Sequence, residues 1–326
     1  MEKNKFFKNI TLGSVLAGSG AGFSGPEEAL AARADVEEII VERDMPEKPH
    51  KGKVLAAIQA HLDDIPHRSA GTCAKLINEG YTGYLIRTSN DEKCGPGTKA
   101  QNILSNEQEN AKMAQALGFT EVFNLYYRNH RMNNISSVEL RSRLVFLFRL
   151  LKVDTVVSFN PWGHGEENPD HWVTGRSVEE ACWMSGMGND YPEHMEAGLR
   201  PHGVRERYYW TARPGQPFNR VVDISSTLEQ KLLSIAECKS QGGGSQGSRL
   251  RQRLAKEGKR LPILGDDDET ADREYVRHFL LKGWSTFEGM EDYGLTHAER
   301  FYYIDQRRPA GQSEVDKYIE EHAVGL

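Results

Sequence analysis

From residue 53 onward, short runs rich in β-branched and aromatic residues alternate with longer stretches of helical period. The strand-like runs are VLAAIQA (54–60), TGYLIRT (82–88), EVFNLYY (121–127), DTVVSFN (154–160) and RYYWTA (207–212). Their length and composition suit buried strands. Between the first four lie helix-like segments. NEQENAKMAQALG puts Ala114 and Leu117 on one face with Gly118 as a stop, and SSVELRSRLVFLFRLLK repeats Leu140, Leu144, Leu147 and Leu151 at spacings of four, three and four. Strands separated by helices predict an α/β fold, a Rossmann-like and mostly parallel sheet with helices on both faces. In such sheets functional groups gather just beyond the carboxyl ends of the strands.

The flanks read differently. Residues 1–34 begin with Lys3, Lys5 and Lys8, pass through a weakly apolar stretch from Ile10 to Phe23, and reach an Ala-x-Ala step at Ala29 and Ala31. That is the layout of an export signal, with a disordered leader as the plainer reading. Export to the periplasm or beyond is expected, with a cytoplasmic location as the alternative. Gly13, Gly18, Gly20 and Gly22 leave this segment too weakly apolar for a bilayer span of about 20 residues, and no later stretch is apolar enough for a stable membrane span. Residues 48–326 read as one domain. Within it, 241–249 is rich in Gly and Ser and reads as a mobile loop at the mouth of the site. GDDDE (265–269) reads as a charge cluster at a helix start in preference to a cation site.

Charge narrows the partners. The 41 Lys+Arg against 47 Asp+Glu give a formal charge of −6, and no long basic run offers the phosphate-neutralising surface that nucleic acid requires. A nucleic acid partner is not expected. Cys73, Cys94, Cys182 and Cys238 form no C-x-x-C pair, so they read as ordinary thiols.

Two strand ends carry chemistry. VLAAIQA runs directly into His61, Asp63 and Asp64, and DTVVSFN runs into FNPWGHGEENPDHWVTGR (159–176), which holds His164, Glu166, Glu167, Asn168, Asp170 and His171. Imidazoles and carboxylates converging at adjacent strand ends can hold one zinc ion and leave a position for water. Taken alone, the first cluster is better explained by a simple Asp helix cap with a chance histidine.

These segments also look like a known family. Ala-His-Leu-Asp-Asp at 60–64 and Pro-Asp-His at 169–171 resemble the paired A-H-P-D-D and H-P-D-H signatures of the PIG-L/LmbE de-N-acetylases. ENAKMAQALGF, VVDISSTLEQKLLSIAECKSQ (221–241) and GLTHAERFYYI (294–304) extend the resemblance from about residue 51 to 304. It implies an LmbE-like fold and Zn2+ as cofactor, with His61, Asp64 and His171 as ligands and Asp63 as general base. The implied partner is a small-molecule or glycan N-acetyl amino sugar, whose acetyl group is hydrolysed off. Water activated by the ion would attack the amide carbonyl while Asp63 takes its proton.

Departures from the family pattern mark what is particular to this chain. Leu62 replaces the proline, Ile65 a frequent glutamate, and Asn168 the first histidine of H-P-D-H. His164, in a glycine-flanked turn, is the candidate to supply the missing imidazole. Asp170 is a candidate either to orient a ligand imidazole or to cap a helix. Where many relatives carry a sugar-binding arginine and aspartate, this chain has Asn106 and Asn129, so these two, Arg128 and Asn168 are the substrate-binding candidates. Arg128, His130 and Arg131 could line the pocket and favour an acidic or sulfated sugar, with a solvated basic loop as the plainer reading. Tyr208, Tyr209 and Trp210 fit core positions better than sugar stacking. Two further readings stay open, an amidase acting on another N-acyl metabolite and a non-catalytic sugar binder.

Overall fold

The computed structural model describes residues 39–305 and 310–325, and the expected leader over 1–34 lies outside them. Eight strands form one sheet: β1 (Ile40–Glu42), β2 (Val54–Gln59), β3 (Thr82–Ser89), β4 (Glu121–Tyr127), β5 (Thr155–Phe159), β6 (Glu206–Trp210), β7 (Arg220–Asp223) and β8 (Ala298–Asp305). Their spatial order is β1-β7-β8-β6-β5-β2-β3-β4. Every neighbouring pair is parallel except those of β8, which runs antiparallel to both β6 and β7. The mostly parallel sheet is therefore as expected. From Ile39 onward the chain is one compact unit.

The helices in chain order are α1 (Asp64–Arg68), α2 (Ala70–Asn78), α3 (Lys99–Leu117), α4 (Ser137–Leu151), α5 (Pro169–Met184), α6 (Pro192–Glu196), α7 (Leu228–Ala236), α8 (Gln246–Lys256), α9 (Asp268–Tyr275), α10 (Leu281–Ser285) and α11 (Ala310–His322). None of the described helices is long and apolar enough to cross a membrane. Two cores lie on opposite faces of the sheet. Leu55 and Ala57 of β2 meet Leu76 of α2 and Met113 and Leu117 of α3, while Ala56 and Ile58 meet Leu140 and Leu144 of α4 and Val178 of α5. Burial on both faces is why β2 reads as an unbroken apolar run. The helix ends follow local chemistry. Thr98 and Gln101 form a reciprocal capping box at the start of α3, and Gly118 ends it in the left-handed region at φ 84°.

This order positions the site. The chain steps outward from β2 through β3 to β4, then crosses back to lay β5 on the other side of β2. The direction of winding reverses between β2 and β5, so the loops that follow them open a crevice between them. Both candidate clusters stand in those two loops.

A buried ion pair fixes the turn after β2 from the far side. Lys231 Nζ of α7 lies 2.6 Å from Glu299 Oε1 and donates to the carbonyl of His67 at 3.0 Å. The Glu299 carboxylate also accepts the backbone N–H groups of Gly71 and Thr72, at 3.1 and 2.8 Å. Removing either ion would leave the other buried and unpaired, at a cost of about 3–5 kcal/mol. The Gly/Ser stretch is a loop only as far as Ser245, and α8 occupies the rest. The acidic cluster is a helix start, as expected: Asp267 caps α9 by accepting from the N–H of Thr270. All four cysteines are unpaired.

Candidate metal centre

The turn after β2 is built around Asp64. One oxygen of its carboxylate, Oδ2, accepts the backbone N–H groups of Ala60 (3.2 Å) and His61 (2.7 Å), which curls the chain tightly. The other, Oδ1, faces His171 Nε2 at 3.2 Å. His171 arrives from the first turn of α5, where Asn168 caps the helix by accepting from the N–H of Asp170 and Pro169 pre-sets the first helical residue. His61 Nδ1 and His171 Nε2 come within 3.0 Å, and one donor atom from each of His61, Asp64 and His171 lies within 4.8 Å of the others.

Three donors this close, at ligand distances of about 2.0–2.2 Å from a common centre, suit a divalent ion. The outer ring nitrogens agree with that use. His61 Nε2 meets Asp170 Oδ2 at 3.1 Å, and His171 Nδ1 meets Glu166 Oε1 at 3.1 Å. Carboxylates bonded to the far nitrogens fix ring orientation and raise ligand basicity. Asp170, fully buried, also accepts the backbone N–H groups of His130 (2.6 Å) and Met132 (3.2 Å). Glu166 is held in turn by Arg213 at 3.0 Å.

The electrostatics follow from this packing. Burial opposes the charged form of His171, but Asp64 and Glu166 outweigh it and raise its pKa to about 9. His61 is likewise raised well above its ordinary value, against burial, by hydrogen bonds to Asp170 and Asp64. Asp64 is held well below the usual carboxylate range by both imidazoles, despite its burial. Burial and the neighbouring Asp64 push Asp63 up to about 7. Two histidines poised to keep protons around one carboxylate form the pattern a cation would replace.

Asp63 stands beside this set. It occupies the position before α1, yet its side chain makes no capping hydrogen bond and lines the cavity instead. The cavity, about 280 Å³, is also lined by His61, Asp64, His130, Asn168 and His171. Gly242 closes over Asp63 with φ 74°, and a Cβ there would come within 2.7 Å of the Asp63 Cβ. A side chain at this position would be both strained and obstructed.

Several expected site residues lie elsewhere. His164 is exposed in its turn and does not line the cavity; its backbone carbonyl accepts from Gln216. Asn106 is fully buried, donating to the carbonyls of Cys94 (2.7 Å) and Asn102 (2.8 Å) and accepting from Gln241 (2.8 Å), so it braces loops and does not face the cavity. Arg128 pairs with Glu92 at 3.0 Å, and Asn129 is buried with its backbone N–H on Asn90. Of the four substrate-binding candidates only Asn168 lines the cavity, with Nδ2 3.3 Å from His171 Nε2.

Other residues line the cavity. His130 lines the cavity with its ring centroid 5.9 Å from that of His61, brought there by its positive φ of 56° and by Asp170 holding its N–H. Burial, then the charge of His61, lower its pKa. Arg68 and Arg213 supply the cations at the wall. Trp210 lines the cavity from the end of β6, whereas Tyr208 and Tyr209 are core, as their pattern suggested.

Comparison with known proteins agrees with the two motifs. Residues 56–182 match the model of the PIG-L family, described as GlcNAc-PI de-N-acetylase, so the resemblance to that family holds over both clusters. Among solved structures, N,N'-diacetylchitobiose deacetylase from Pyrococcus horikoshii is similar at 21% identity, with 78% of this chain and 84% of that chain covered and a TM-score of 0.59. The conserved protein TT1542 from Thermus thermophilus matches at 18% identity, covering 79% of this chain and 95% of its own, with a TM-score of 0.53. The 4-carboxy-2-hydroxymuconate hydratase GalB from Pseudomonas putida matches at 18% identity, 79% and 98% coverage and a TM-score of 0.53. A deacetylase and a hydratase share this fold, so the reaction has to be argued from the site.

Proposed function

We propose that the protein is a zinc-dependent hydrolase that removes the N-acetyl group of an amino sugar or glycan. The observation that carries this reading is the convergence of His61, Asp64 and His171 on one point, with Asp63 lining the same cavity. Two imidazoles and one carboxylate match the three-ligand sets of catalytic zinc sites. When bound, zinc polarises the amide carbonyl and makes a water molecule acidic near neutral pH.

The chain's own residues do the rest. Asp63 accepts the proton of the attacking water and returns it to the departing amine. His130 and the Asn168 amide, both at the cavity wall, donate to the oxygen on which charge develops. His130 takes the part of the second imidazole, the one first sought at His164. Asp170 and Glu166 hold the two ligand imidazoles in orientation.

The test is acetate release from N-acetylated mono- and oligosaccharides, with and without chelator. Chelation should abolish turnover and added zinc restore it. Asp63→Ala should keep metal while turnover falls about 10²–10⁴-fold, and His171→Ala should lose both metal and turnover. Undiminished activity in the chelated protein or in Asp63→Ala would overturn the reading.

A further inference from the structure

The metal cavity does not end at its own walls. A second cavity of about 530 Å³ adjoins it and shares His67, Arg68 and Ala212. Its other walls come from the loop after β6 (211–215), from 283–288 at and beyond the end of α10, and from the start of β8. The volume falls in the range of about 300–1,000 Å³ that small ligands fill.

Two guanidinium groups at this junction have no bonded partner among the described residues. Arg68, the last residue of α1, is half-buried between the two cavities and makes no hydrogen bond or ion pair among the described residues. Burial and the neighbouring Arg213 disfavour its charged form and outweigh the opposing pull of Asp64, Glu166 and Asp63. On the far side Arg300 lies over the rings of Phe287 (5.1 Å) and Phe218 (5.4 Å) and has no hydrogen-bonded or ionic side-chain partner among the described residues. Burial lowers its pKa also.

Asp64, Glu166 and Asp63 act on Arg68 through space, and Glu288 and Glu299 line the second cavity, but none of the five pairs with Arg68 or Arg300. Glu166 serves Arg213 and His171. Glu299 serves Lys231 and the N–H groups of residues 71 and 72. Glu288 is exposed. Trp284, stacked on His67 at 3.7 Å, adds an aromatic wall. A partly desolvated guanidinium with no carboxylate bonded to it leaves its donors unused, and a planar anion is its natural complement.

We propose that this second cavity receives an anionic group of the substrate, a carboxylate or sulfate on the sugar unit next to the acylated one. Arg68 is the specificity-determining residue and Arg300 closes the far wall. The inference rests on the deacetylase reading of the adjoining centre and names the class of glycan that centre acts on.

The experiment uses the full-length, metal-loaded protein carrying Asp63→Asn to stop turnover. Binding of three ligands is measured by calorimetry: neutral N,N'-diacetylchitobiose, glucuronosyl-N-acetylglucosamine for the carboxylate, and 6-sulfogalactosyl-N-acetylglucosamine for the sulfate. At least one anionic ligand should bind about tenfold or more tightly than the neutral one. Arg68→Gln should erase that margin and Arg68→Lys keep part of it, with melting curves showing both variants folded. Equal binding of all three ligands, or a margin untouched by a folded Arg68→Gln protein, overturns the proposal. Acetate release by the enzyme with Asp63 intact is read separately. An Arg68-dependent margin with no acetate released from any ligand sustains the anion site and sinks the hydrolase; acetate released without any margin does the reverse.

Discussion

Replacing Asp170 by asparagine separates orientation of a ligand from simple helix capping. The cap belongs to Asn168, and the Asp170 carboxylate is fully buried against three donors: His61 Nε2 at 3.1 Å, the His130 N–H at 2.6 Å and the Met132 N–H at 3.2 Å. In Asp170→Asn the amide oxygen can keep the two donors now on Oδ2, but the NH₂ group then faces the N–H of Met132. One buried donor pair is left unsatisfied, at a cost of about 1–3 kcal/mol. His61 also loses the charge behind its outer nitrogen. Loss of such a partner lowers metal affinity about 10–100-fold, or roughly 1.4–2.7 kcal/mol. Competition with a chromophoric chelator measures the zinc Kd, and calorimetric melting of the metal-free protein measures the stability term. An unchanged zinc Kd in a folded but less stable Asp170→Asn protein would refute the orienting role and leave Asp170 a purely structural group.

Two other expectations test the site from different sides. His130→Ala should lower kcat about 10²-fold while metal content stays full, whereas His164→Ala, exposed and away from the cavity, should stay within about twofold; the reverse ranking, read by acetate release, would restore His164 as the working imidazole. In the metal-free protein the raised pKa of His171 stabilises the fold fully below its ordinary value of 6.5, and this contribution is lost as pH rises through about 9. Asp63, raised to about 7, changes in the same direction. The His171 part is on the order of 3 kcal/mol, so the melting temperature should fall between pH 6.5 and 9. Saturating zinc should flatten that fall, because a ligated imidazole no longer takes a proton. A melting temperature independent of pH across that window would show that His171 is not held protonated.

The central strands were legible because β2 and β5 are buried on both faces, which leaves an uninterrupted apolar signature. β8 was not. Its AERFYYID sequence is only partly buried, and its place between β6 and β7 is decided by pairing with strands many tens of residues upstream, from Glu206 with Asp305 to Asp223 with Ala298. The same contrast runs through the site. His61, Asp64 and His171 each sit in a short turn that directly follows a strand or opens a helix, so local sequence marks them. His130, named from the sequence as a residue that could line the pocket, does line it, but its orientation depends on a carboxylate forty residues later that holds its backbone. Nothing near position 130 encodes that contact.

The departures from the family pattern form one coherent change when set on the fold. The resemblance gives many relatives an arginine and an aspartate where this chain has Asn106 and Asn129, and both asparagines are turned inward and fully buried. A charged side chain at 106 would meet backbone carbonyls and one at 129 the Cys94 thiol, both in a dry setting ill suited to presenting charge to a sugar. Charge instead lines the opposite side, through Arg68, Arg213 and Arg300 along the loops that follow β2 and β6 and the start of β8. On the proposed hydrolase reading, these arginines, and not the two buried asparagines, are the charged groups a glycan would meet beside His61, Asp64, His171 and Asp63. His130, on the loop after β4, would then stand where an imidazole was first sought at His164 in the turn before α5.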